Sequence, residues 1–267
     1  MQTNSFAIRA FSVLSLTAVC LCAGCAIEGV EPSEAASLHS DTDALRKDRI
    51  GELKHQISAI SSANTKRVDN MAAVSAQLAP LVAELQRLTP VKTQAQNADL
   101  LEGAWHQLWG NLEMMSPGFI RQDLTEVFQV VSKDGYYYNF GSNCIFSLLP
   151  ATGILRGKYT SSDAGFDIEF TKVGFRIGAL NEDRDLVAYT KKFEFDGKRI
   201  LATGSGRAPK GPVGIKGHLT TLYVDEDFRI AGGDQTAFAD ETGTVLVPGR
   251  DNLLFVLERH TPSARRF

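Results

Sequence analysis

The sequence is short of cysteine, of clustered histidine and of long basic or apolar runs, and each shortage closes off a class of function. Of its four cysteines, Cys20, Cys22 and Cys25 stand near the N-terminus, so only Cys144 is left for the body of the chain and no internal disulfide framework is expected there. Cys144, in "YYYNFGSNCIFSLL", reads as a small buried residue of a strand. The five histidines, His39, His55, His106, His218 and His260, are far apart and form no H-x-x-x-H pair, so no metal site is expected. Lys and Arg (28) nearly balance Asp and Glu (31), and no basic run exceeds the terminal "ARRF", which argues against a nucleic-acid partner. There is no G-x-S-x-G elbow, and in the glycine-rich "GSGRAPKGPVGIKG" Pro212 follows Gly211 where a phosphate-binding loop needs Lys. The chain is therefore not read as an enzyme and no cofactor is expected, although catalytic groups gathered from distant strands would leave no such motif.

What is present begins with "FAIRAFSVLSLTAVCLCAGC", where Arg9 precedes an apolar stretch from Phe11 to Ala23. The stretch falls short of the ~20 apolar residues that cross a bilayer, and small residues follow it, as in a secretory signal. Its end, "CAGC", resembles a bacterial lipoprotein cleavage box, with Ala23 and Gly24 before Cys25 but with Cys22 where that box usually carries Leu. The expectation is a signal peptide over 1–24 and a lipid on Cys25. That places the protein in the cell envelope as a lipid-anchored membrane protein, the bacterial outer membrane being one candidate and plain secretion the alternative.

Residues 25–42, polar and rich in small side chains, read as a flexible tether. Over 43–90 the pattern is helical: Ile50, Leu53, Ile57 and Ile60 share one face, with Asp41 or Asp43 as candidate caps. Val74, Leu78, Leu81, Leu85 and Leu88 form a second stripe in which Pro80 predicts a kink or break. Over 91–267, short runs of Val, Ile, Phe, Tyr and Thr alternate with Gly, Asn and Asp turns. "FDIEF", with Phe166, Ile168 and Phe170 on one side, is the clearest of about nine expected strands, and "LVAYTKKFEFDG" is read as another. The predicted fold is mainly β: an antiparallel barrel, closed because closure removes exposed edges, with an N-terminal helical segment.

Two motifs carry a family resemblance. Gly103-Ala104-Trp105 in "LLEGAWHQLWG" matches the G-x-W that opens lipocalin-like barrels, and Arg259 in "NLLFVLER" is placed to close over that tryptophan as a cation-π contact. "GHLTTLYVDEDFRIAGG" is similar to the last third of the plastid lipid-associated protein, or PAP/fibrillin, family, on Gly217, Leu219, Thr221, Tyr223, Asp225, Asp227, Arg229 and Ile230. The resemblance runs over roughly residues 48 to 260. It departs from the family in its secretory signal and in the longer "GGDQTAFADETGTVLVPGRDN", which suggests an extra hairpin.

The acidic "DED" of this motif reads as the turn of a hairpin. A calcium loop counted from Asp225 would need an acceptor where Arg229 stands and a glycine where Ile230 stands. A contact of Asp225 or Asp227 with Arg229 is expected to fix the turn, and a direct role for Asp225 and Arg229 at a pocket mouth remains the other reading. The resemblance implies a lipocalin-like barrel that binds or organises hydrophobic molecules of the lipid, quinone or isoprenoid class. Phe166, Phe170, Phe175, Tyr189, Phe193 and Tyr223 are the candidates to line its interior, and Trp105 and Arg259 to hold it. The expected partners are a hydrophobic small molecule or lipid, and a membrane reached through the Cys25 anchor. A coat or scaffold on lipid without a ligand cavity, and a lipid-modifying enzyme, are the alternatives.

Overall fold

The computed structural model describes residues 32–65, 69–89, 92–93, 95–112, 120–146, 148, 149–163, 165–180, 185–195, 201–203, 213–239 and 245–262, with backbone alone over 32–41, 120–121, 192–195, 201–203, 238 and 246–247. Three helices lead in: α1 (Pro32–Asn64), α2 (Met71–Leu88) and the single turn α3 (Ala98–Leu101). Strands β1 (Gly103–Gly110), β2 (Ile120–Val131), β3 (Tyr136–Ile145), β4 (Leu149–Ser162) and β5 (Gly165–Ile177) follow. Helix α4 (Leu186–Phe195), the short β6 (Leu201–Thr203), β7 (Lys216–Val224), β8 (Phe228–Gln235), the β9 (Phe238–Ala239) and β10 (Val245–Val247) pair, and β11 (Arg250–Arg259) complete the chain. The helix α1 starts at Pro32, within the stretch expected to be a tether, and α2 runs through Pro80 without a break. Residues Ala44–Phe267 form one compact unit, and the described part of Met1–Asp43 is the first part of α1.

Eight strands close on themselves in the order β4-β3-β2-β1-β11-β8-β7-β5, with β4 pairing β5 to complete the ring and β6 lying beside β5. Every pairing is antiparallel. Closure leaves the barrel proper without an unpaired edge. The long link between β8 and β11 folds into the β9–β10 hairpin.

Period-two alternation divides the side chains between three apolar clusters. The inward one contains Trp105, Val131, Tyr137, Phe166, Ile168, Leu219, Ala231, Leu253, Phe255 and Leu257, closed below by Leu101 of α3. The second lies outside, where Leu53 and Ile57 of α1 and Val74, Leu78, Val82 and Leu85 of α2 cover Leu108, Trp109, Tyr223, Phe228, Ile230 and Val256. Arg49 clamps the two helices by donating from Nε and Nη2 to the two carboxylate oxygens of Glu84, at 2.8 and 2.9 Å.

The third cluster corrects a sequence expectation. Within "LVAYTKKFEFDG", Leu186–Phe195 is the helix α4 and not a strand: Leu186 and Tyr189 pack on Phe128, Val130, Tyr138, Phe140 and Ile154 of the outer wall. Residues three apart meet the same wall only in a helix, and the Asp185 carboxylate accepts the Ala188 N–H at 3.0 Å to cap its start.

Candidate ligand site in the barrel

One end of the barrel is sealed and the other is open. At the sealed end the Trp105 indole, fully buried, donates to the Leu101 carbonyl at 2.9 Å, and the Arg259 guanidinium lies 3.8 Å from its ring centre. Arg259 also donates to the carbonyls of Leu100, Glu102 and Glu226, so it ties β11 to α3 and to the β7–β8 turn. Gly103 makes this possible: its φ is +113°, and a Cβ there would stand 2.9 Å from Arg259 Nη1. The G-x-W motif is thus read as a cap, with the glycine giving room for the arginine.

At the open end a cavity enters the interior between Gln107, Gln122, Gln129, Asn139, Asp234 and Gln235. Its walls are Ile168, Phe170, Leu219, Leu253 and Phe255, and it reaches Tyr137. The free volume is about 60 Å3, and about 660 Å3 when the open mouth is included. A second, wider and shallower groove of about 540 Å3 lies outside the barrel between Val82 and Gln86 of α2 and Leu222, Gly232 and Leu254.

Deep in the barrel sits Arg229, with none of its surface exposed. Its Nε, Nη1 and Nη2 meet no protein acceptor, and Gln129 Oε1, on the cavity wall, is likewise unpaired. Burial pulls the guanidinium down to about 10, and Arg259 adds to that while Tyr137 opposes it, so Arg229 stays charged at neutral pH. Tyr137 is pushed up by its own burial, with Arg229 and Asn139 pulling back, and stays a neutral phenol. A buried, charged and unpaired group is costly in any fold.

The β7–β8 turn lies against α1 and not in the pocket. Lys54 Nζ donates to Asp225 Oδ2 and Asp227 Oδ1, at 2.7 and 2.6 Å, and sits 5.6 Å from the Phe228 ring centre. Asp225 also accepts the Tyr223 hydroxyl at 2.5 Å and the N–H groups of Asp227 and Phe228. Desolvation raises the Asp225 pKa, but Lys54, Tyr223, Asp227 and the Phe228 N–H together more than offset it and hold it near 2. The expected contact of Asp225 or Asp227 with Arg229 is absent. Alternation turns Phe228 and Ile230 toward the helices and Arg229 into the barrel, and the lysine that answers the acids comes from α1.

The predicted lining residues divide accordingly. Phe166 and Phe170 are interior. Phe175 is half-buried near the open end, beside Gly153, and outside the interior cluster. Tyr223 belongs to the helix-covered outer face. Tyr189 lies on α4, its ring 5.8 Å from Phe140 and its hydroxyl accepting from Arg176 Nη1 at 3.1 Å. The Phe193 side chain and Cys25 lie outside the described residues. Tyr137, Leu219, Leu253 and Phe255 also line the interior; strand alternation marks each of them, but alternation does not say which side is inward.

His106 and His218 are not brought together: His106 Nδ1 faces Glu258 at 3.1 Å and His218 Nδ1 faces Asp167 at 2.8 Å. Cys144 is half-buried on β3. Among the described residues no group of three or more potential ligands is placed to hold a metal, and no helix is long and apolar enough to cross a membrane.

No curated protein matches the chain. The family model described as PAP_fibrillin matches residues 51–239, from the middle of α1 to β9, which is more than half the chain and takes in every barrel strand but β11. The chain belongs to the PAP/fibrillin family.

Proposed function

We propose that this protein carries a hydrophobic molecule of the lipid, quinone or isoprenoid class in its barrel and works without catalysis at the surface of an envelope membrane, to which lipid on Cys25 anchors it. The observation that carries the reading is the apolar barrel interior, sealed at the Trp105 end and open at the other. Such an interior holds a ligand by removing apolar surface from water, at ~25 cal/mol per Å2. Membership of a lipid-associated family supports it.

The membrane side of the proposal draws on the β3–β4 turn. Phe146 and Leu148 are 70% and 87% exposed, Leu149 and Ile177 are exposed beside them, and the strand registers Gln122↔Asn143, Ile145↔Leu149 and Ala151↔Ile177 put this apolar tip at the open end. An exposed apolar tip beside a cavity mouth suits a surface from which the ligand would enter.

The narrow free space favours a second reading, a coat protein on lipid whose barrel is filled by its own side chains. Native mass spectrometry with lipid extraction on protein purified from a lipid-rich and quinone-rich source separates the two. A defined apolar molecule at near one-to-one supports the carrier and names its ligand, whereas a barrel that is always empty moves the function to the surface.

A further inference from the structure

We propose that Arg229 is the head-group site of the barrel and that its ligand is a carboxylate-bearing acyl chain, bound head-down with the carboxylate on the guanidinium. This rests on the carrier reading and narrows it from hydrophobic molecules in general to single-charged amphiphiles.

Arg229 is the second residue of β8. It pairs with Leu257 of β11, and two residues further along the same inward face is Ala231, which pairs with Phe255 on the cavity wall. Two residues of strand are about 7 Å. The side chain standing between the cavity level and the guanidinium on this strand is therefore an alanine, the smallest that keeps the alternation. Tyr137, which lines the cavity, belongs to the same buried cluster as Ala231 and as Leu257, the register partner of Arg229, so the cavity floor and the cation are neighbours.

The chemistry of the site then selects the ligand. Arg229, the one fully buried cation among the described residues, has no acceptor on any of its three nitrogens and calls for one negative charge. A planar guanidinium matches a carboxylate with two parallel N–H···O bonds. Above them the wall is Ile168, Phe170, Leu219, Leu253 and Phe255, which suits methylene groups, and the mouth carries the amides of Gln107, Gln122, Asn139 and Gln235 with the Asp234 carboxylate at its rim. A doubly charged phosphate head would bring a charge that no second buried, unpaired cation among the described residues answers. A neutral ring would leave the guanidinium uncompensated.

The test uses a fluorescent polyene fatty acid and its methyl ester, titrated into the purified full chain. The two probes share a tail and differ in one charge. The acid is expected to bind at least about tenfold more tightly than the ester. In Arg229→Met the difference is expected to shrink to within about twofold, and in Arg229→Lys to survive in part, with thermal unfolding confirming that both variants fold. Equal binding of acid and ester by the unaltered protein overturns the head-group site while leaving the carrier reading standing, and so does an acid preference that persists in Arg229→Met. No binding of either probe overturns both. Acetate binding as tightly as the long acid would reassign Arg229 to a free anion and overturn the acyl ligand.

Discussion

Arg229 and Gly103 show how single residues set the two ends of the barrel. A cation taken out of water without a partner opposes folding, and replacing such a group by an apolar side chain of similar length commonly stabilises a protein. Arg229→Met is therefore expected to raise the stability of the ligand-free protein by about 1 to 2 kcal/mol, read as a rise in Tm of several degrees, even as it removes the charge from the interior. A fall in Tm would mean that the guanidinium makes a structural contribution after all. Gly103 acts in the opposite sense. Its φ of +113° disfavours any Cβ, and the added carbon would press on Arg259 Nη1. Gly103→Ala is expected to cost roughly 1 to 3 kcal/mol in chemical denaturation, with loss of the Trp105–Arg259 stacking visible as a change in tryptophan fluorescence.

At the scale of elements, the β7–β8 turn is held by a helix far away in the chain, and this makes the turn sensitive to acid. The folded Asp225 carboxyl titrates near 2, below its ordinary 3.8, so its contribution is fully present above about pH 4 and is lost as the pH falls toward 2. The Asp225 side chain is partly exposed, which limits the contribution to about 1 kcal/mol. Asp225→Asn is expected to remove that amount at neutral pH and to flatten the stability profile between pH 4 and 2, measured by urea unfolding across the range. The same turn shows where sequence reading reaches its limit. The turn itself was legible from Asp225, Glu226 and Asp227 between alternating strands, but its cation was not, because Lys54 stands 171 residues before Asp225 and nothing local announces it. "FDIEF" was legible because period-two alternation and β-forming residues agree in it. "LVAYTKKFEF" was not, because Val, Tyr and Phe favour strands while Leu186 and Tyr189, three apart, are the pair that the outer wall buries. Arg229 drew attention in a conspicuous motif, yet local sequence tied it to the adjacent acids, and only barrel closure turns it inward, away from them.

For the whole molecule, the arrangement of a sealed end, an apolar channel and an exposed apolar tip at the mouth gives the barrel a direction. A barrel used only as a filled scaffold has no need of two dissimilar ends. If the tip of the β3–β4 turn meets lipid, its large side chains are expected to drive adsorption while contributing little to the fold, since Phe146 and Leu148 are mostly exposed. Because the lipid proposed for Cys25 would mask such adsorption, the comparison belongs in Cys25→Ser protein. There, Phe146→Ser with Leu148→Ser is expected to lower binding to neutral phospholipid vesicles by about tenfold or more, measured by flotation, while Tm stays within a few degrees. Uptake of the polyene acid from vesicles should slow in the same variant, although its affinity for acid free in solution stays unchanged, because the channel walls and Arg229 are untouched. Unaltered adsorption would place the lipid contact elsewhere, the broad groove beside α2 being the next surface to alter. Adsorption lost with uptake intact would separate docking from loading, and the open end would then be a route for ligand from water alone.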